Sequence, residues 1–479
     1  MSTLTLYEKH VKIRPRPVRG RFQRWRNRAI VLLLGIFHLL PLLQWNGRQA
    51  VLFDIGQRRF FVFGLNIWPQ DFILLTFILL GLALVLFLFT ALLGRVWCGY
   101  ACPHTVYGEV FLWLEQKIEG NRSEQLRIAR LPWNSPEKLR KRGLKYLAWL
   151  LVSFITGVGF VGYFTPLRPL LADLWHGSAS PVALGWIAGY GGFCWLMAGL
   201  VREQFCKYIC PYARFQGAMF DRHTLIIAYD GQRGEPRRRL KKIDRPGLKS
   251  PPEPAPARSA PPAAPADGRP LGYCVDCTMC VQVCPTGIDI RDGLQVECIA
   301  CAACIDACDS MMDQIGAPHG LIRYTSAEGL AGRPTRWLRP KTLGYGLVLS
   351  LAFTLFVGLL VAKRDVALDV IADRNHLARP VQKGARVQNV YLVKILNKSE
   401  RERHFLLALD GLAGGEIERN RPLTVAPSQM LEKIISVNVP TATVAGHDHL
   451  SFSLVLSASD DPSRELLRQR TTFSGKRQP

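Results

Sequence analysis

Long apolar runs fill much of the first 200 residues of the chain and recur once near residue 350. Five of them come close to the ~20 residues that an α-helix needs to cross a bilayer. They cover residues 28–45, 72–93, 144–164, 182–201 and 343–362. Five runs of this length are a poor match to the buried helices of a soluble protein. The pattern therefore predicts a multi-domain membrane protein built on an α-helical transmembrane bundle of five spans.

After the last apolar run the pattern changes to alternation of apolar and polar positions. Residues 387–396, 404–409, 433–439 and 450–456 are rich in β-branched and apolar side chains and are separated by turn-forming dipeptides such as Asp410-Gly411. Short strands at this spacing predict a C-terminal all-β immunoglobulin-like sandwich over residues 363–479. Nothing in this segment indicates catalysis, so we expect a rigid docking module.

The distribution of charge predicts how the chain is oriented. The net charge is +24, but the basic residues flank the apolar runs and no nucleic-acid-binding motif is present, so we expect no nucleic-acid partner. The N-terminus (1–27) and residues 95–143 are rich in Lys and Arg, whereas residues 46–70 and 165–181 are poor in them. By the positive-inside rule, the N-terminus and residues 203–341 are cytoplasmic and residues 363–479 lie on the opposite side.

Eight of the 13 cysteines form two runs of CxxCxxCxxxC in the predicted cytoplasmic part. This is the spacing of two-cluster ferredoxins, in which the fourth cysteine of each run ligates the other [4Fe–4S] cluster. A pair of zinc sites is the competing interpretation, because CxxC pairs also suit zinc. The predicted ligands are Cys274, Cys277, Cys280 and Cys308 for one cluster and Cys298, Cys301, Cys304 and Cys284 for the other.

Composition suggests how the modules follow one another. We expect a four-helix membrane domain in residues 28–220 and a Pro/Arg-rich cytoplasmic linker in residues 221–272. A 2[4Fe–4S] ferredoxin-like domain follows in residues 273–325, and a connector with the fifth helix in residues 326–362. The ferredoxin domain is small, so its clusters are expected to supply much of its stability.

Four further cysteines form two CxxxCP motifs, each just past the predicted cytoplasmic end of a span. The motifs share a central tyrosine and suggest a duplicated helical hairpin. Their cysteines are Cys98 and Cys102 in the first motif and Cys206 and Cys210 in the second. If each motif is helical, its two thiols face the same way and together suit a soft metal ion, and the following proline favours a helix start. The alternative is a pair of structural turns with inert buried thiols.

These features together resemble the cytochrome c oxidase accessory proteins of the CcoG/FixG/RdxA family. The resemblance extends over nearly the whole chain and includes Trp68–Asp71, both CxxxCP motifs, the two-cluster insert, Gly320–Tyr324 and the C-terminal β-domain. Asp309 stands after Cys308 where ferredoxins have proline, which resembles the family's own version of the motif. The CxxxCP arrangement alone is less specific, because membrane ferredoxin subunits of the NapH type share it.

The resemblance implies a bacterial inner-membrane protein that reduces Cu(II) to Cu(I) during maturation of a cbb-type oxidase. It implies that Cys98, Cys102, Cys206 and Cys210 handle the copper, with two [4Fe–4S] clusters as cofactors. Expected partners are copper ions, the oxidase catalytic subunit or its assembly factors, an unknown electron donor and a possible second copy of the chain.

Two other functions remain open at this point. One is an electron relay between the quinone pool and a soluble partner, which would need a quinone pocket for which the sequence has no motif. The other is a non-enzymatic copper-binding assembly scaffold.

Overall fold

The computed structural model describes residues 12–237, 272–363, 365–373, 378–399, 401–461 and 465–475. Most of the predicted linker and the beginning of the basic N-terminus therefore lie outside the described residues. The chain divides into two compact units. The first contains the described residues up to Phe63 and from Pro69 to Leu355, and the second contains Gly64–Trp68 and the described residues from Phe356 onward.

Helices dominate the first unit. In chain order, the α-helices are α1 (Arg21–Leu39), α2 (Phe72–Leu93), α3 (Val96–Tyr100), α4 (Pro103–Glu119), α5 (Arg122–Arg130), α6 (Pro136–Val161), α7 (Leu167–His176), α8 (Pro181–Cys194), α9 (Pro211–Met219), α10 (Gly231–Gly234), α11 (Met279–Gln282), α12 (Ala303–Ile315), α13 (Ala327–Leu330), α14 (Pro340–Val361) and α15 (Thr441–Val444), the last in the second unit. Two π-helical stretches, Trp195–Val201 and Phe205–Ile209, follow α8.

Among the described residues, five helices are long and apolar enough to cross a membrane, and each overlaps one predicted span. They cover Arg21–Leu42, Phe72–Leu93, Pro136–Val161, Pro181–Val201 and Pro340–Val361. Apart from buried patches on their packed faces, their apolar side chains point outward, as is typical of helices that face lipid.

The first of these helices begins and ends earlier than the predicted run of residues 28–45. Helix α1 begins at Arg21, because the carboxylate of Asp306 accepts hydrogen bonds from the backbone N–H groups of Phe22 (3.1 Å) and Gln23 (2.7 Å). These are two of the N–H groups that a helix start leaves unpaired. At the other end, the chain leaves the helix after a 3₁₀ turn that contains Pro41. Trp45 is therefore in a strand, not in the span.

The strands, in chain order, are β1 (Gln44–Trp45), β2 (Arg48–Gln49), β3 (Val51–Asp54), β4 (Arg59–Val62), β5 (Leu65–Ile67), β6 (Ile226–Tyr229), β7 (Ile322–Thr325), β8 (Val366–Ala372), β9 (Arg379–Val381), β10 (Arg386–Asn397), β11 (Arg403–Asp410), β12 (Glu416–Ile417), β13 (Leu423–Val425), β14 (Met430–Pro440), β15 (His449–Ala458) and β16 (Glu465–Ser474). The hairpins β1–β2 and β3–β4 form in residues 44–62, where the sequence predicts the end of the first span and a loop.

The ferredoxin-like module extends further towards the N-terminus than residues 273–325. Strand β6 pairs antiparallel with β7, so that chain on both sides of the cysteine runs joins in one small sheet. Ile227 of β6 and Ile322 of β7 lie in the same buried cluster as Cys280 and Ile305. Residues 226–229, which the sequence assigns to the linker, therefore contribute to the core of the module.

The second unit is a sandwich of two antiparallel sheets. One sheet has the order β12–β14–β10–β8 with β9 beside β10, and the other has the order β13–β11–β15–β16. The four predicted strands fall within β10, β11, β14 and β15, which confirms the alternation seen in the sequence. Alternate residues of β10, such as Tyr391, Val393 and Ile395, are fully buried and pack against Phe405 and Leu454 of the other sheet.

Candidate iron–sulfur and thiol sites

The two predicted cluster-binding loops share one uncommon backbone conformation. In each loop, the residues before and after the central cysteine have a positive φ, which non-glycine residues rarely adopt. These residues are Asp276 (49°), Thr278 (56°), Ala300 (53°) and Ala302 (62°). Such alternation turns successive N–H groups inward and creates the concave anion-binding nest found at many iron–sulfur sites. The backbone N–H groups of Met279 and Ala303 accordingly face the sulfur atoms of Cys277 and Cys301.

The eight cysteines of these loops line two neighbouring cavities. Cys308 lies with the three cysteines that begin the first run, in a cavity also lined by Arg291 and Met312. Cys284 lies with the three that begin the second run, and Cys280 borders both cavities. Each fourth cysteine is thus beside the opposite run, as a pair of exchanged ligands requires. The residues present therefore fit two [4Fe–4S] clusters.

The spacing of the thiols also bears on the zinc interpretation. Within the part of the chain that the structure describes, no three His, Cys, Asp or Glu side chains come close enough to hold one metal ion. A zinc site would bring four ligands onto a single ion, whereas a cluster spreads its ligands over several irons. The geometry favours the cluster.

Burial controls the protonation of the unliganded thiols. It raises the pKa of Cys280, Cys298 and Cys308 to about 12 and that of Cys304 well above the usual value. The free thiols are therefore neutral near pH 7. Because a metal binds the thiolate, loading of these cavities releases protons.

Each CxxxCP motif lies between two helices instead of along one. Cys98 is in α3, whereas Cys102 is extended (φ −61°, ψ 125°) and immediately precedes Pro103, the first residue of α4. Cys210 is likewise extended before Pro211, where α9 begins. A residue before proline is sterically excluded from the helical region. The predicted helix starts at the prolines are thus confirmed, but the prediction of two thiols on one helix face is wrong.

A second likeness between the motifs lies four residues before the first cysteine of each. Gly94 (φ 59°, ψ −120°) and Arg202 (φ 44°, ψ −118°) adopt the same rare conformation, and each ends a long apolar helical segment. This shared turn redirects the chain into the short helical segment that contains the first cysteine. The structure therefore repeats the local fold as well as the sequence motif.

The four CxxxCP thiols, called here the thiol quartet, lie close enough to influence one another. Burial, together with the neighbouring thiols of Cys102 and Cys210, raises the pKa of Cys98 to about 11 and that of Cys206 to about 12. The Cys98 thiol donates a hydrogen bond of 3.2 Å to Oε1 of Gln216. The quartet is therefore a partly buried set of soft ligands just past the ends of two candidate membrane-spanning helices.

The quartet packs against the second cluster-binding loop. A Cβ atom on Gly99 would lie 2.7 Å from the carbonyl oxygen of Ile299 and 2.9 Å from Cα of Cys301. Cys98 and Cys206 pack against the same buried group of side chains as Cys301. The first CxxxCP motif and the second loop are therefore in direct backbone contact, which only a glycine at position 99 permits.

Family models match the chain over three stretches: a 4Fe-4S binding domain over residues 75–121, a 4Fe-4S dicluster domain over residues 201–327, and an IG-like fold at the C-terminus of FixG over residues 356–476. The nitrogen fixation protein FixG of Rhizobium meliloti is 36% identical to it over 96% of this chain and 91% of the relative. This chain belongs to the FixG/RdxA family. The predicted family is thus confirmed, and the protein is a membrane-associated iron–sulfur electron-transfer protein of ferredoxin type.

Other known proteins are also similar to this chain. The protein RdxA of Cereibacter sphaeroides is 38% identical over 85% of this chain and 84% of its own length. The ferredoxin-type protein NapH of Haemophilus influenzae is 22% identical over 48% of this chain and 65% of its own length. Among solved structures, a FixG-related protein from Vibrio parahaemolyticus matches 24% of this chain and 99% of its own, with 20% identity and a TM-score of 0.21.

In this FixG/RdxA-family protein, a buried ion network holds the turn before the second motif. The guanidinium of Arg202 pairs with the carboxylate of Glu115 on α4, and Lys145 on α6 and Lys12 contact the same carboxylate at 3.4 and 2.9 Å. The Arg202 carbonyl oxygen lies 2.8 Å from Nε2 of His104. Burial lowers the pKa of His104, so a neutral ring donates this bond and the residue positions the turn.

Sequence reasoning missed three residues that position the quartet of this family member. Gln216 holds the Cys98 thiol. Arg95 donates to the carbonyl oxygens of Ala213 and Cys298, and so connects the first motif with α9 and with the second loop. Arg202 holds the second motif. The sequence did offer one signal, for Arg202. When the two motifs are aligned on their cysteines, Arg202 stands at the same position as Gly94, the residue that forms the turn in the first motif.

Proposed function

We propose that this protein reduces Cu(II) to Cu(I) at the cytoplasmic face of the bacterial inner membrane, for the assembly of a cbb-type cytochrome c oxidase. The observation that carries the proposal is the backbone contact between Gly99 and the loop of Cys301. It brings soft metal ligands against an iron–sulfur site within one compact unit. Copper is the substrate, and the resident cofactors are the two clusters.

Eight cysteines would hold the clusters, in the two sets that line the two cavities. When bound, each [4Fe–4S] cluster supplies one electron at a time, and each Cu(II) ion requires one. The contact between the second loop and the quartet keeps the distance for electron transfer short.

Thiols of the quartet would bind the copper, two to an ion, because among the described residues no three His, Cys, Asp or Glu side chains come close enough to hold one ion. Thiolates prefer Cu(I) to harder ions, so they stabilise the product of the reduction. The positive charge of Arg95 lowers the pKa of Cys98 against the effect of burial, which helps the thiol lose its proton to the metal. Gln216 orients the same sulfur atom.

An anaerobic reduction assay tests this proposal. The full chain is reduced with dithionite, freed of excess reductant and mixed with Cu(II) and a Cu(I)-specific chromophore. We expect up to one Cu(I) for each reduced cluster, formed as the cluster is oxidised. The double variant Cys98→Ser/Cys210→Ser should slow Cu(I) formation by about tenfold or more. Cys194→Ser, a buried cysteine of α8 outside the motifs, is the matched control and should behave like the unmodified protein.

Three other outcomes would contradict the proposal. If the clusters stay reduced in the presence of Cu(II), the protein is not a cupric reductase. Copper binding without reduction would instead indicate the scaffold. A loss of iron from the double variant would mean that the quartet holds iron, so iron content is measured for every variant.

A further inference from the structure

A cavity of about 490 Å³ lies beside the second set of cluster cysteines. Helices α1 and α4 form two of its walls, and residues around Pro285 and Ala303 of the ferredoxin-like module close it. Its volume is within the range of about 300–1,000 Å³ typical of small-molecule sites. Neither the thiol quartet nor the cluster-binding loops need this space for the chemistry proposed above.

One end of the cavity is polar. Arg26 is 3% exposed and pairs with Glu109 at 2.8 Å, while its Nε is buried without a hydrogen-bond partner. Gln23 donates to Oε1 of Glu109 at 3.2 Å, and Asn27 also lines the wall. These groups offer both donors and acceptors around an ion pair whose Arg26 side chain is buried.

Apart from Arg16 and Gln116, the rest of the lining is apolar, and it reaches the lipid-facing surface. Ile30, Leu34 and Leu112 line the interior, and Val31 and Trp113 stand at the rim with 73% and 56% of their surface exposed. Because α1 is a candidate span, these rim residues face the acyl chains near the membrane surface. An amphipathic molecule dissolved in the bilayer would therefore enter through this side.

The polar end lies against the second set of cluster cysteines. Ala303 of the cavity wall stands between Cys301 and Cys304 in the chain, and Pro285 directly follows Cys284. The Arg26 guanidinium and the Glu109 carboxylate both act electrostatically on the Cys301 thiol. A redox-active head group at the polar end would thus be separated from this cysteine set by one layer of side chains.

We infer that this cavity binds a membrane quinol, whose ring lies at the polar end and whose isoprenoid tail leaves between Val31 and Trp113. The inference rests on the proposed function and names its electron donor. The quinol loses two electrons and two protons, two Cu(II) ions each gain one electron, and the two protons pass to the cytoplasmic water. The products are one quinone and two Cu(I).

The test uses the full chain, loaded with clusters, in nanodiscs under anaerobic conditions. A short-chain quinol replaces dithionite, and reduction of the clusters is followed by electron paramagnetic resonance before any copper is added. Cu(II) and the Cu(I) chromophore are then supplied. We expect cluster reduction by quinol and two Cu(I) for each quinol consumed. In parallel, a photoreactive azidoquinone should cross-link to peptides of α1 or α4.

Two matched variants of α1 decide whether the cavity is the site. Leu34→Trp fills the cavity, whereas Ile36→Trp adds the same ring on an exposed position that does not line it. We expect Leu34→Trp to slow quinol-driven cluster reduction at least tenfold and to abolish the cross-link, while dithionite-driven reduction stays unchanged. Ile36→Trp should leave all three measurements unchanged.

The outcomes separate this inference from the proposed function. If dithionite supports Cu(I) formation but quinol reduces no cluster, the inference is overturned and the cupric reductase stands. Equal effects of Leu34→Trp and Ile36→Trp would also overturn it, as would an azidoquinone cross-link only outside the cavity. If quinol reduces the clusters but no Cu(I) forms with either reductant, the quinol site stands and the cupric reductase fails.

Discussion

The two CxxxCP motifs share one backbone turn but hold it by different means. In the first motif the turn residue is Gly94, and a Cβ there would clash with the carbonyl oxygen of Leu225. Close packing of backbone on backbone therefore fixes this turn. In the second motif the turn residue is Arg202, whose side chain reaches the buried carboxylate of Glu115. The comparison shows that the thiol quartet depends on the turn itself, which packing or a buried ion pair can stabilise.

The largest effect is expected where the ion pair is broken. Glu115→Ala leaves Arg202 buried without its carboxylate, although Lys145 keeps its pair with Glu119, and this should cost about 3–5 kcal/mol of unfolding free energy. Thermal unfolding of the full chain in detergent measures the loss. Glu137→Ala removes a carboxylate from a solvent-exposed pair with Arg127 and should leave the unfolding temperature unchanged. Similar losses in both variants would show that the network does not stabilise the second turn.

The unfolding free energy should also depend on pH through the carboxylate of Glu115. Burial alone would raise the pKa of Glu115, but Arg202, Lys12 and Lys145 outweigh it and lower the pKa to about 2. The unfolded chain titrates at about 4.3, so the stabilisation is complete above that pH and is lost as the pH falls towards 2. Its size is about 3 kcal/mol. The unfolding free energy of Glu115→Gln should lack this component, and parallel pH profiles for the two proteins would contradict the assignment.

Close packing at the first turn can be broken directly. Gly94→Ala combines an unfavourable positive φ with a Cβ that meets the Leu225 carbonyl oxygen, so we expect a loss of about 2–3 kcal/mol. Gly108→Ala is the matched control, because it lies within α4 and its Cβ would meet nothing within 4 Å. That substitution should be neutral or slightly stabilising, since alanine favours the helix. An equal response of the two variants would mean that packing does not hold the first turn.

Local rules predicted the chemistry of this protein better than its assembly. The cysteine spacing indicated two cluster-binding loops, and the prolines after Cys102 and Cys210 indicated where helices begin, because both depend on neighbouring residues. The pairing of Glu115 with Arg202 joins residues 87 positions apart. The contact of Gly99 with the Cys301 loop spans still more chain. No local pattern encodes such contacts, which form only when the module packs on the helices.

A further contact of this kind is the cap of α1. Asp306→Ala removes the two hydrogen bonds that the carboxylate accepts from Phe22 and Gln23, at an expected cost of about 1–2 kcal/mol. Because Asp306 lies between Cys304 and Cys308, the loosened contact should also speed the loss of iron to a chelator. Asp313→Ala alters an exposed residue of the same helix and should change neither. If iron loss is equally slow in all three proteins, the cap does not couple α1 to the module.

The smallest expected effect isolates the backbone of the second turn. Arg202→Ala and Arg202→Gly both lose the ion pair, but only alanine keeps the strain of a positive φ, which costs about 1–3 kcal/mol. The glycine variant avoids this strain, but the greater conformational freedom of glycine in the unfolded chain lowers its stability by about 0.4–1 kcal/mol. The glycine variant should therefore be about 1 kcal/mol more stable in thermal unfolding. The stability difference between the glycine and alanine variants of Arg202 measures the cost of the positive φ. Subtracting it from the stability loss in Gly94→Ala leaves the part of that loss that is due to the Leu225 contact. In the second motif, an ion pair takes the place of this packing. An alanine variant as stable as the glycine variant would show that the second turn relaxes once Arg202 is gone, so that the ion pair alone maintains its conformation.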